Sequence, residues 1–232
     1  MSARPKALML FAAGLGTRMR PLTDDRPKSL IEVAGRALLD HALGQTRGDE
    51  RVVVNLHYRG EQIREHLKGR ATIAFSAETE TLLETGGGLK AALPLLDADP
   101  VFVMNSDAVW TGANPLDQLA AAWDGTRMEA LLLLVPKDRA RGHAGKGDFL
   151  LDGDGRLMRG PGHIYTGAHI TRTGRIGAWP EARFSLNPVW DAMAVEGRLY
   201  GVIHQGGWCD VGRPDSIALA EEMLRGADVS PD

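Results

Sequence analysis

An alternation constrains this chain more than any other feature. Through the first 136 residues, short and almost wholly apolar runs recur with amphipathic stretches between them. "KALMLFAA" (6–13), "RVVVNLHY" (51–58), "ATIAFSAE" (71–78), "PVFVMNSDAVW" (100–110) and "MEALLLLVP" (128–136) read as strands. A strand apolar on both faces must be covered on both faces, which is the condition of a parallel sheet between helical layers. "RALLDHALGQTR" (36–47), "EQIREHLKG" (61–69), "TGGGLKAALPLL" (85–96) and "NPLDQLAAAWD" (114–124) supply helices, the third opened by a glycine turn. The expected fold is therefore α/β. It is a Rossmann-like mixed, mainly parallel sheet with right-handed crossovers and helices on both faces.

After about residue 140 the texture changes. "GHAGKGDFLLDGDGRLMRGPGHIYTGAHIT" is rich in glycine with short β-like runs, and "DGDG" (152–155) suits a hairpin turn. It reads as a small antiparallel sub-structure over the site, about 140–170, inserted in one domain spanning 1–232. "LNPVWDAMAVEG" (186–197) reads as a helix, "RLYGVIHQGGWCDVG" (198–212) as strands and "PDSIALAEEMLRG" (214–226) as a closing helix. A net charge of −3 argues against nucleic acid as the main partner, while leaving room for local basic loops. The single cysteine, Cys209, excludes an intrachain disulfide and a cysteine-rich zinc site. No apolar run approaches the roughly 20 residues of a membrane span. The expectation is a cytoplasmic protein, a monomer or small homo-oligomer, without nucleic-acid or membrane partners. The basic flank and short apolar run at the start resemble a leader peptide. The glycine turn that follows argues for a structural strand instead.

In such sheets ligands sit beyond the carboxyl ends of the strands. Three polar loops follow strands, at 14–28, 76–88 and 105–112, and are expected to converge. The first is the most informative. In "AAGLGTRMRPLT" (12–23) a buried strand feeds a glycine turn, where backbone N–H groups can approach a phosphate unobstructed. Two well-known phosphate loops are absent. There is no glycine followed by Lys and Ser/Thr at P-loop spacing, and Met19 stands where the dinucleotide fingerprint wants glycine. Arg18 and Lys28 bring the cationic charge that a triphosphate demands, and Pro21 and Pro27 limit the loop's freedom.

The stretch "AAGLGTRMRPLTDDRPKSLIEVAGRALLD" resembles the signature of sugar-1-phosphate nucleotidylyltransferases, G-x-G-T-R-x-x-P-x-T followed by P-K. Gly14, Gly16, Thr17, Arg18, Pro21, Thr23, Pro27 and Lys28 match it. "LLETGGGLKAALPLL" (82–96) looks like the family's base-binding loop. "FVMNSDAVW" (102–110) is similar to its strand ending in N-G-D, with Ser106 in place of glycine. "GKGDFLL" and "WCDVGRPDSIALAE" are most similar to the branch of uridylyltransferases that act on N-acetylmuramate 1-phosphate in peptidoglycan recycling. Guanylyltransferases for mannose- or heptose-1-phosphate, and non-catalytic nucleotide-sugar-binding relatives, are the alternatives.

The resemblance implies the following roles. Arg18 and Lys28 are catalytic, Arg18 at the departing phosphates and Lys28 at the transition state. Ala13, Gly14, Gly16, Thr17, Gly87 and Asn105 bind the nucleotide. Asp107 and Asp210 hold Mg²⁺. Lys146, Gly147, Asp148 and Gly167 face the sugar. On residue chemistry alone, two carboxylates from distant segments suit Mg²⁺ beside a triphosphate, and they equally suit helix caps or turns. The implied reactants are a nucleoside triphosphate, UTP first, and a sugar 1-phosphate. A sugar phosphate is largely ionised at neutral pH, its second pKa being about 6. No general base is therefore needed, in keeping with histidines that show no metal spacing and a cysteine with no adjacent base.

Overall fold

The computed structural model describes residues 2–228. In chain order the elements are β1 (Ala7–Phe11), β2 (Glu32–Val33), β3 (Arg36–Ala37), α1 (Leu38–Leu43), β4 (Arg51–Leu56), α2 (Gly60–His66), β5 (Ile73–Ala77), α3 (Glu84–Leu96) and β6 (Val101–Asn105). Then follow β7 (Ala108–Trp110), α4 (Pro115–Ala122), β8 (Ala130–Val135), β9 (Ala140–Arg141), β10 (Phe149–Leu151), β11 (Leu157–Arg159), β12 (Ile164–Thr171), α5 (Gly174–Gly177), α6 (Leu186–Val195), β13 (Leu199–Ile203), β14 (Trp208–Asp210) and α7 (Asp215–Asp228).

The central sheet has the order β13-β8-β12-β6-β1-β4-β5. Every pairing in it is parallel except those of β12, which runs against both β6 and β8. β1 lies in the middle, and period-2 alternation sends its side chains to two cores. Leu8 and Leu10 join Leu39 of α1, Ile63 of α2 and Leu116 of α4 on one face. Ala7 and Met9 join Leu89 of α3, Ile176 of α5 and Met193 of α6 on the other. The mixed, mainly parallel sheet with helices on both faces is thus the architecture found. Truncating a fully buried leucine such as Leu10 to alanine should cost about 2–5 kcal/mol. No helix among the described residues is long and apolar enough to cross a membrane.

Four details differ from the sequence reading. The stretch 100–110 is two strands. The chain leaves the central sheet after Asn105 and re-forms as β7 in a three-stranded sheet of order β7-β14-β9. The helix expected over 36–47 shrinks to Leu38–Leu43, because Arg36 and Ala37 pair back onto Glu32 and Val33 through a tight turn at Ala34 and Gly35, both at positive φ. The glycines 86–88 lie inside α3 rather than in a turn before it. Finally, residues 164–171 are a central strand, so the segment outside the sheet ends near 163. Its hairpin, β10 with β11, is antiparallel as the "DGDG" turn suggests. Phe149 and Leu157 anchor it in the core beside α6 and β13.

Candidate active site

The polar loops meet at the carboxyl ends of β1 and β6. β1 stops at Phe11, and side chains complete its hydrogen bonds. Asn55 Oδ1, at the end of β4, accepts from the N–H groups of Ala12 (2.7 Å) and Ala13 (3.3 Å). On the other side Ser106 donates twice to the Phe11 carbonyl, from its N–H at 3.1 Å and from its hydroxyl at 2.7 Å. The Ser106 hydroxyl therefore adds a bond that ties β1 to β6.

The two loop glycines differ. Gly16 has φ +63°, and a Cβ there would press on Thr23 Cγ2 at 2.9 Å and Lys28 Cβ at 3.0 Å. Thr23 in turn donates to the Gly16 carbonyl at 2.9 Å, and the Tyr58 hydroxyl donates to the Thr23 carbonyl at 2.9 Å. At Gly14 a Cβ would meet nothing within 4 Å, and the residue is exposed. Thr17 and Arg18 stand exposed in the short turn that follows.

The chain's change of sheet after Asn105 places Asp107 at the head of β7. β14 pairs antiparallel with β7, setting Asp210 opposite Ala108, and Val211 donates its N–H to the Asp107 carbonyl at 2.8 Å. The two aspartates, 103 residues apart, thus end up on neighbouring strands. Lys28 Nζ donates to Asp107 Oδ2 at 2.8 Å, its side chain only 13% exposed. Burial and the charge of Asp107 push the Asp210 carboxyl above its ordinary pKa, while Lys28, Arg18 and His143 pull it down. Among the described residues no hydrogen bond or ion pair satisfies the Asp210 carboxylate. Arg18, Lys28, Asp107 and Asp210 therefore share one electrostatic neighbourhood.

No group of three or more His, Cys, Asp or Glu able to hold a metal occurs among the described residues. Two partly buried carboxylates, one of them without a partner, fit a hard divalent cation whose other ligands are phosphate oxygens and water. They do not form a closed protein cage.

Of the expected sugar-side residues, Gly167 and Asp148 are tied to β12, the strand beside β6. Gly167, at φ +87°, occupies the bulge between Tyr165 and His169 in β12, and a Cβ there would collide with Asn105. Asn105 is consequently pressed against β12. Asp148 accepts from the Tyr165 N–H at 2.9 Å, so it braces β12 as well as facing the loop. Burial and then the charge of Asp107 hold the Tyr165 hydroxyl well above its usual pKa. Gly147 has φ +109°, and its close approach to the Gly162 backbone (Cβ to O 2.5 Å) leaves no room for a side chain. Lys146 is exposed and unpaired among the described residues.

Gly87 lies in the first turn of α3, buried, and donates its N–H to the Phe184 carbonyl at 3.0 Å, as Gly86 does at 2.8 Å. Added Cβ atoms at Gly86 and Gly87 would strike Phe184 and the Ala182 carbonyl. These glycines serve close packing of α3 on the 182–184 segment, and the Gly87 N–H is already engaged. Sequence reasoning missed Asn55, Glu78 and His143. Asn55 had a signal, a lone amide inside the apolar run "VVVNL". Glu78 and His143 had none without the fold.

Comparison with known proteins sharpens this picture. The model of the MobA-like NTP transferase domain matches residues 8–165. The chain is 43% identical to the N-acetylmuramate alpha-1-phosphate uridylyltransferase of Caulobacter vibrioides, over 97% of this chain and 99% of that protein. It is 35% identical to the protein of the same name from Neisseria meningitidis serogroup B, over 93% and 96%. Among solved structures, a putative glucose-1-phosphate thymidylyltransferase from Bacillus anthracis superposes with a TM-score of 0.74. That match covers 97% of both chains at 16% identity, a likeness of fold alone.

Proposed function

The chain belongs to the MobA-like NTP transferase family, and on that premise we propose that it transfers a uridylyl group from UTP to N-acetylmuramic acid 1-phosphate, releasing pyrophosphate. The observation that carries this reading is the convergence of Arg18, Lys28, Asp107 and Asp210, the two cations coming from the same loop as the open backbone of Gly14. The names of the relatives from Caulobacter vibrioides and Neisseria meningitidis favour the uridylyl group and the muramate. A role in peptidoglycan recycling, in the cytoplasm, follows from that substrate.

The sugar phosphate oxygen attacks the α-phosphorus of UTP and pyrophosphate leaves from the opposite side. The attacking oxygen is already anionic, so the protein's work is positioning and charge neutralisation. Gly14 and Gly16 bring backbone close to the phosphates. Exposed Arg18 holds the departing pyrophosphate. Lys28 is kept in place by Asp107 and presents its ammonium to the reacting phosphates. Asp107 and Asp210 are the residues to hold Mg²⁺, which supplies further neutralisation of phosphate charge when bound. Asp148, Gly147, Lys146 and Gly167 border the sugar, Lys146 offering a cation to the lactyl carboxylate.

A panel of four nucleoside triphosphates against N-acetylmuramate, N-acetylglucosamine, mannose and heptose 1-phosphates, read by pyrophosphate release with and without Mg²⁺, tests this. Release with UTP and the muramate, abolished by EDTA, is the expected result. Release only with GTP and a mannose or heptose phosphate would replace the substrate assignment. Nucleotide binding without release from any pair would make the protein a regulatory module.

A further inference from the structure

A buried polar pair outside the catalytic cluster links the two loops assigned to the nucleotide. Asn55 is 3% exposed and Glu78 is 4% exposed. Asn55 Nδ2 donates to Glu78 Oε1 at 2.7 Å, and Glu78 Oε2 accepts from the N–H of Leu83 at 2.7 Å, at the N-cap of α3. Asn55 Oδ1 meanwhile holds the N–H groups of Ala12 and Ala13. One continuous hydrogen-bonded line thus runs from the corner after β1, through the end of β4, to the start of α3. Its backbone is fixed too. The Glu78 N–H donates to Leu56 O at 2.8 Å, and the Glu78 carbonyl pairs with His57 Nδ1 at 2.7 Å. Gly88 makes room for the pair, since a Cβ there would stand 2.9 Å from Glu78 Oε1 and 3.2 Å from Asn55 Nδ2.

Stability alone does not call for this arrangement. Burying a carboxylate is costly, and apolar side chains of similar volume commonly stabilise as well or better. What a fully satisfied polar network gives that an apolar contact does not is a defined distance and orientation. Here the fixed parts are the Ala12–Ala13 corner, which aims the Gly14–Lys28 loop, and the first turn of α3. We propose that Asn55 and Glu78 are positioning residues for nucleotide binding, setting the spacing between the two loops that grip it. The proposal rests on the nucleotidyltransferase reading for its ligand.

The pair can be inverted. Glu78→Gln turns an acceptor into a donor facing either Asn55 Nδ2 or the Leu83 N–H. Asn55→Asp sets two carboxylates in contact. In the double variant Asn55→Asp/Glu78→Gln every bond is restored with the donor direction reversed. The new amide donates to the new carboxylate, whose other oxygen still accepts from Ala12 and Ala13, and the amide oxygen accepts from Leu83.

UTP affinity by calorimetry, KM for both substrates and thermal melting should be measured on the full chain. Each single variant is expected to weaken UTP binding by about tenfold or more, with the sugar-phosphate KM nearly unchanged. The double variant is expected to return to within about threefold of the wild type. Should Asn55→Asp fail to fold, Glu78→Gln and the double variant still carry the comparison. A double variant no better than Glu78→Gln, or a Glu78→Gln that melts earlier but binds UTP as before, would overturn the proposal. Because binding is read directly, a wild type that binds UTP without releasing pyrophosphate refutes the proposed reaction and leaves this test intact.

Discussion

Two glycine-rich segments flank the site, and they are built differently. The loop from Ala12 to Lys28 is bolted at every few residues, by Asn55 at Ala12 and Ala13, Thr23 at Gly16, Tyr58 at Thr23 and Asp107 at Lys28. The segment from Gly142 to Gly147 has two positive-φ glycines at its ends. Among the described residues no side chain from His143 to Lys146 forms a hydrogen bond. It is held there by packing instead, Gly142 against the Asp210 carbonyl, the His143 ring against Trp208 and Gly147 against the Gly162 backbone, and side-chain hydrogen bonding begins only at Asp148, which meets Tyr165. The difference suits the proposed division of labour. Phosphate geometry at the reacting centre rewards a preorganised frame, while the proposed sugar side is met by a segment whose exposed side chains are left unbonded.

Several substitutions would break or sharpen that contrast. The largest effect is expected at the hub of the bolted side. Asp107→Ala should lower turnover by about 10³-fold or more, while thermal melting shifts by only a few degrees, about what loss of one partly exposed ion pair allows. Normal pyrophosphate release from that variant would dismantle the site. Next come the two loop glycines, which should separate cleanly. Gly16→Ala forces a side chain into positive φ against Thr23 and Lys28 and should cost about 1–2 kcal/mol in chemical denaturation. Gly14→Ala should leave the denaturation midpoint unchanged and raise the nucleotide KM. Equal effects of the two on stability would mean that Gly14 has a structural role.

A pH measurement probes the core beneath the looser side. Burial pushes the His169 imidazole down to about 3, its ring packed among Tyr165 and Trp190. A folded pKa below the unfolded one means that the unfolded chain takes up a proton first as pH falls. Stability is then full above about 6.5 and declines toward pH 3, at up to ~1.4 kcal/mol per pH unit from this group. His169→Gln keeps a partner for the Tyr165 hydroxyl but cannot titrate. Denaturant midpoints taken between pH 7 and 4 should fall less steeply in that variant, and parallel profiles would contradict the assignment. The smallest effect is expected at the looser segment itself. Lys146→Met should raise the KM for the muramate phosphate about threefold to tenfold without altering that for N-acetylglucosamine phosphate or the melting temperature. Identical changes for both sugars would remove Lys146 from the lactyl group.

The contrast also marks what can be read from sequence. The parallel central strands were legible because runs such as "ALMLF" and "ALLLLV" have no polar face to offer solvent, which leaves burial between two layers as the only solution, whereas the antiparallel β12 was hidden in a glycine-rich stretch. The Gly14–Lys28 loop could be singled out as the proposed phosphate loop because glycine, cation and proline each carry a local reason. Residues whose role depends on distant segments were not. The polar run Asn105–Asp107 in "MNSDAVW" marks the end of a strand, but nothing local announces that the chain re-enters a different sheet straight after it. Gly86 and Gly87 read as a turn because glycine disfavours helices. Their reason is the close approach of residues 182–184, about a hundred positions later. The short β2–β3 hairpin hid in a helical pattern because Ala34 is an unusual residue at positive φ, although Gly35 was a clue.

The most direct test of the central claim follows the phosphorus. UTP labelled at the α-phosphate is incubated with N-acetylmuramic acid 1-phosphate, Mg²⁺ and the protein, and the products are separated. The account predicts label in a UDP-sugar, one pyrophosphate released for each, and no transfer by Asp107→Ala. Label that stays in UTP while the nucleotide binds, or that appears as free UMP, would contradict nucleotidyl transfer to the sugar at this site.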